Sequence, residues 1–186
     1  QAKHLVNVLL DNYSGSAVAR EADEFGKTVN AVKETIKTHV RQFELGREAD
    51  AGGKYYEAAT CYWNAKNAWE QIQRLSGANK PLPQDLKDRL TGVYPRVWSV
   101  RSPPSDALIE NEDLVFEIVV SEKFFKDITV HKKTLPVKGE FMTVKMSELG
   151  AGSHIIEVAA VSVDGHRSMR KVPFRFQPPE EQPPKI

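Results

Sequence analysis

The chain has a single cysteine, Cys61, in 186 residues, which excludes an internal disulfide and a cysteine-based zinc cluster. It also lacks an excess of charge of either sign. Lys and Arg number 13 against 12 Asp and Glu in residues 1–95, and 13 against 13 in residues 96–186. Neither half can raise the positive field that nucleic acid or an anionic membrane demands, so nucleic acid is not an expected partner. No apolar run approaches the length of about eighteen residues needed to cross a bilayer, so no membrane span is expected in this chain. Phosphate-cradling glycine loops, nucleophile elbows and zinc motifs are missing as well. His4, His39, His131, His154 and His166 are dispersed, with no pair three or four residues apart. The expectation is therefore a protein that is not an enzyme and needs no metal or cofactor.

What is present is burial capacity. Some 40% of residues are apolar and 27% charged, enough for a packed core and a solvated surface. In the first half the apolar residues follow a helical period. Val18, Ala22, Phe25, Val29, Val32, Ile36, Val40 and Phe43 advance in steps of four and three, which lines them along one stripe of a helix. Ser14, Gly15 and Ser16 offer a cap ahead of it, and no proline intervenes before Pro81. The spacing predicts one helix over residues 17–50, about 50 Å long. Ala51-Gly52-Gly53 stops it, because glycine accepts the left-handed conformation of a helix end. A second helix is predicted over residues 54–75, with Tyr55, Ala58, Ala59, Tyr62, Ala65 and Trp69 on one face. So short a turn forces the two helices antiparallel. Leu86, Leu90 and Val93 mark a third short helix over residues 85–94, and Leu5, Val8 and Leu9 another over residues 3–12.

After Pro95 the period changes to two. Leu114, Phe116, Ile118 and Val120 alternate with their neighbours, as do Ile128 and Val130, then Met142, Val144 and Met146, then Ile156, Val158 and Ala160, then Val172, Phe174 and Phe176. Short alternating runs between turn signals predict an antiparallel β-sandwich. Asp164-Gly165 suits the hairpin between the last two strands. Pro173 cannot donate to a ladder, so the final strand is expected at an edge or with a bulge. The fold class is thus α+β multidomain: a helical domain over 1–95, an immunoglobulin-like sandwich over 96–177, and a Pro-rich tail over 178–186.

Two stretches resemble known families. Leu45-Gly46, followed by Gly53, Tyr55, Ala58, Tyr62 and Ala65 at their spacing, resembles a tetratricopeptide repeat, in which small residues let two helices approach. Glu70-Gln71 stands where that family usually carries a proline, and one repeat alone is visible, so a degenerate repeat or a plain helical hairpin is expected. The stretch Ser147-Glu148-Leu149-Gly150-Ala151-Gly152-Ser153-His154-Ile155-Ile156-Glu157-Val158 resembles bacterial immunoglobulin-like and fibronectin type III-like modules. Ser162 stands where those modules often place an Asp, which removes any hint of a calcium ligand. The resemblance implies a sandwich and leaves function open.

Candidate sites weigh differently. Glu110, Glu112 and Asp113 lack the alternating oxygen donors of a calcium loop and read as a solvated loop. Cys61 reads as a small buried hydrophobe. Lys123-Phe124-Phe125-Lys126 reads as a strand connection with one inward phenylalanine, and His39 as a boundary residue. Trp69 and Trp98 are expected to pack, although an exposed Trp63 or Trp98 would suit a sugar platform. The stripe is the sharpest feature. A shorter second helix leaves its upstream part uncovered, so Val18, Phe25, Val29 and Val32 are the candidate partner-binding residues. The occupant is a short segment of this chain, a second copy in a homo-oligomer, or another protein. Together these readings give a non-catalytic scaffold or adaptor of the bacterial cell envelope. The alternative is a glycan-binding accessory module. The chain starts at Gln1, as processing that removes a signal or anchor would leave it, and a periplasmic or envelope-associated location is expected, with the cytoplasm left open.

Overall fold

The computed structural model describes Val8, which is helical, and residues 17–110, 113–146 and 149–177. The cap at residues 14–16, the rest of the helix expected over 3–12, Glu112, Ser147, Glu148 and the tail over 178–186 lie outside the described residues. The chain divides into two compact units, Gln1–Leu90 and Thr91–Ile186. The architecture is α+β: N-terminal helices followed by an immunoglobulin-like β-sandwich.

Helix α1 spans Ala17–Ala51, α2 spans Tyr55–Ser76 and α3 spans Gln84–Val93. The α1–α2 turn is closed by backbone bonds from Gly52 N–H to the Glu48 carbonyl (3.0 Å) and from Lys54 N–H to the Ala49 carbonyl (2.9 Å). Gly53 adopts φ +72° there, a conformation that a side chain would disfavour. α2 buries Ala58, Ala59, Tyr62, Ala65, Ala68 and Ile72. Four of these six are alanines, so the backbones approach closely and Tyr62 fills the remaining gap. A Cβ on Gly46 of α1 would lie 2.5 Å from Cε1 of Tyr62, which explains the glycine at that position.

Eight strands build the second unit: β1 Ser99–Ser102, β2 Ala107–Ile109, β3 Leu114–Val119, β4 Phe125–Val130, β5 Lys133–Pro136, β6 Phe141–Met146, β7 Gly152–Ser162 and β8 Arg167–Phe176. One sheet has the order β1-β3-β6 and the other β2-β8-β7-β4-β5. All pairings are antiparallel except the parallel pairing of β2 with β8. The inward residues are those the alternation marked: Phe116, Ile118, Ile128, Val130, Val144, Ile156, Val158, Val172 and Phe174 are buried. Phe116 and Phe174 meet edge-to-face with centroids 6.0 Å apart, a favoured aromatic geometry.

Two expectations are corrected. β8 is not an edge strand, since β2 lies beside it. β2, however, pairs only with Phe174–Phe176. The Pro173 carbonyl accepts from Asp106 N–H at 2.7 Å, so its backbone nitrogen points to that same side, just ahead of β2, where no ladder bond is lost. In Lys123-Phe124-Phe125-Lys126 both phenylalanines are buried, rather than one.

Candidate interaction surface

Helix α1 has 35 residues and α2 has 22, or about 52 Å against about 33 Å of axis. Their register is fixed by the Phe43–Tyr62 ring pair at 5.9 Å, an Asn64 Nδ2 donor to Gln42 Oε1 at 3.3 Å and a 2.8 Å bond between His39 Nδ1 and the Ala65 carbonyl. A carbonyl can only accept, so Nδ1 carries the proton in that bond. Continued at the helical rise, this register puts the end of α2 beside about Val29. Upstream of it α1 outruns its hairpin partner.

The stripe is therefore used unequally. Phe43 packs on Tyr62, and His39 rather than Val40 takes the next inward place, its ring 5.7 Å from Trp69. Val40 is 54% exposed and Ile36 is 44% exposed. The cause is the step: four residues back from Phe43, and four again, the inward places fall on His39 and on Thr35, which is buried, so Val40 and Ile36 are turned to the side. His39 is accordingly a packed and hydrogen-bonded residue of the hairpin. Of the four candidate partner-binding residues, Val18 and Phe25 are 52% and 57% exposed, and Val29 and Val32 are half-buried. Ala22, on the same stripe, is buried.

The other candidates each have defined surroundings. Trp98 is 2% exposed. Its indole N–H donates to Ser168 Oγ at 2.7 Å, and the Arg170 guanidinium lies 5.0 Å above its ring. It cannot serve as a sugar platform. Arg170 also donates to the carbonyls of Pro95 (2.8 Å) and Trp98 (3.0 Å), pinning the segment ahead of β1 to β8. Sequence reasoning missed this role, because an arginine in a strand carries no signal of where its guanidinium goes. Trp63 is half-buried, with the Lys66 ammonium 4.5 Å from its ring centre. Cys61 is half-buried. Asp113 accepts from Lys145 at 3.0 Å while Glu110 stays exposed.

Tyr94, buried in the second unit, donates its hydroxyl to Asp164 at 2.7 Å. Burial first, then that bond and the carboxylate charge, push its phenol far above the usual tyrosine range. Tyr62 is shifted up as well, chiefly by burial, but its hydroxyl is buried without a hydrogen-bond partner. Pockets on the helical unit are lined by mixed charges. One of about 400 Å³ is walled by Lys66, Trp69, Glu70, Gln73, Arg74, Lys80 and Leu82. Among the described residues no group of three or more His, Cys, Asp or Glu could hold a metal, and no helix is long and apolar enough to cross a membrane.

No protein-family model and no curated protein matches the chain. Among solved structures, the fibronectin(III)-like modules of Clostridium thermocellum CbhA are similar at 17% identity, covering 42% of this chain and 93% of theirs, with a TM-score of 0.36. An engineered protein is similar at 13% identity, covering 44% of this chain and 20% of its own, with a TM-score of 0.35. The strand order of the sandwich defines its fold independently of either likeness.

Proposed function

We propose that this chain is a non-catalytic interaction module of a bacterial cell-envelope assembly, and that the upstream part of α1 receives a helix from a protein partner. The observation that carries the reading is the apolar seam of α1, with Val18 and Phe25 more than half exposed beyond the reach of α2. A seam advancing by four and three residues fits the knobs of another helix rather than a flat surface. The tetratricopeptide resemblance of the hairpin supports the same role, and the bacterial resemblance of the sandwich together with the Pro-rich tail supports the envelope setting. The partner helix comes from another protein or from a second copy of the chain, and light scattering on the purified chain separates these.

Photocross-linking tests the seam directly. A benzophenone side chain at Phe25 should give one discrete protein adduct in cells, while the same probe at Lys37, an exposed position paired with Glu34 at 2.7 Å, should give none. Equal labelling from both positions, or none from Phe25, would remove the reading. An adduct made solely with cytoplasmic proteins would remove the envelope setting.

A further inference from the structure

The outer face of the five-stranded sheet carries a second pattern, independent of α1. On β8 the residues pointing away from the core are Arg167, Met169, Lys171, Pro173 and Arg175, between the inward-facing Ser168, Val172, Phe174 and Phe176. Cations therefore recur every fourth residue, about 13 Å apart, and an apolar residue stands between each pair. The ladder places Ile155 of β7 beside Pro173, Ala159 beside Met169, and Val161 beside Arg167, while Leu108 of β2 lies beside Arg175. Ile155 is 68% exposed, Met169 57% and Leu108 52%. An outward sheet face normally alternates to polar residues, and three large exposed apolar side chains on one face depart from that.

Three cations on this face, Arg167, Lys171 and Arg175, stand against two carboxylates, Glu157 and Asp127, the latter on β4 beside Val161. Glu157 stands 3.7 Å from Lys171, and Arg170, whose side chain belongs to the other face, is held by the Pro95 and Trp98 carbonyls. Among the described residues no carboxylate pairs with Arg167 or Arg175.

We infer that this face binds an extended acidic segment of a protein, laid along β8, with carboxylates four residues apart and an apolar side chain midway between them. In an extended chain alternate residues face the same way. Successive inward residues acidic, apolar, acidic, apolar, acidic would then meet Arg167, Met169, Lys171, Pro173 and Arg175 one to one. A helix brings residues i and i+4 to one face about 6 Å apart, but each such step turns about 40° around the axis, so over the roughly 26 Å of the row its later side chains point away from the sheet. Arginine suits the two outer places because its planar fork takes a carboxylate through two hydrogen bonds. Lys171, already beside Glu157, contributes least.

The test uses the full chain and a fluorescein-labelled nine-residue peptide with glutamates at its first, fifth and ninth positions, valines at the third and seventh, and threonines elsewhere. Anisotropy should show saturable binding that weakens as salt is raised. Arg167→Gln with Arg175→Gln should weaken it about tenfold or more, Ile155→Ser about threefold or more, and Lys171→Gln less than either. These side chains are exposed, and circular dichroism confirms that each variant keeps its fold. Three results would each overturn the inference: no saturable binding, undiminished binding by the double variant, or equal binding of a peptide with its three glutamates clustered at one end. Binding of a sulfated polysaccharide where the peptide fails would overturn it too, since a polyanion needs no apolar spacing.

Discussion

The sandwich and the helical unit bury their apolar residues in opposite ways. In the sandwich Leu114, Phe116, Ile118, Phe124, Phe125, Ile128 and Val130 are all at or below 1% exposed, and each finds its cover within two facing sheets. The helical unit buries four alanines of α2 beside Tyr62, Ile72, Leu86 and Leu90, while its longest element leaves Val18, Phe25, Ile36 and Val40 in solvent. Burial stabilises by roughly 25 cal/mol per Å² of apolar surface, so large side chains in solvent contribute little to holding α1 in place. The sandwich closes its core between its own sheets. In the helical unit α2 lies against α1 only from about Val29 to the turn.

Substitutions can break or sharpen that contrast. The largest effect belongs to the sandwich: Phe116→Ala should cost about 3–5 kcal/mol in a denaturant titration, because the surrounding sheets collapse only partly into the hole. Gly46→Val should come next, at about 1–3 kcal/mol, since the added carbons meet the Tyr62 ring. If Gly46→Val were neutral, the close packing of the hairpin would not hold. Tyr94→Phe should cost about 1 kcal/mol through the lost bond to Asp164. The same residue has a pH signature. Its folded phenol is pushed far above the ordinary range, so its stabilisation is fully present below about pH 10, where a free tyrosine ionises. It declines as the pH rises beyond that. Denaturant midpoints above pH 10 should therefore fall less steeply in Tyr94→Phe. The smallest effect is expected at Phe25→Ala, within about 0.5 kcal/mol despite the size of the side chain deleted. A cost comparable to Phe116→Ala would mean that Phe25 is core.

Much of this was legible in the sequence, and the reasons it was or was not are physical. β3, β4, β6, β7 and β8 announced themselves because one face of each is buried, which imposes alternation. β1, β2 and β5, of three or four residues, are too short to show a period. On α1 the stripe was readable, but its division was not. Val40 looked like the natural member at its step, whereas the hairpin takes His39, whose ring bonds the Ala65 carbonyl. A polar residue at a seam is invisible to a reading of apolar spacing. The outward side chains of β8 escaped for the converse reason: alternating cations in a strand look like an ordinary solvated face until the register sets Ile155 and Met169 among them.

The central claim is that α2 supports α1 only over its downstream part. Native-state hydrogen exchange on the purified full chain tests this most directly, because amide protection reports local opening residue by residue. Protection near the global limit is expected for the amides around Thr35, His39 and Phe43, and exchange faster by at least about a hundredfold in residues 17–28, equivalent to roughly 3 kcal/mol of local stability. Equal protection along the whole helix in the free chain would contradict it, for the seam at Val18 and Phe25 would then already be covered.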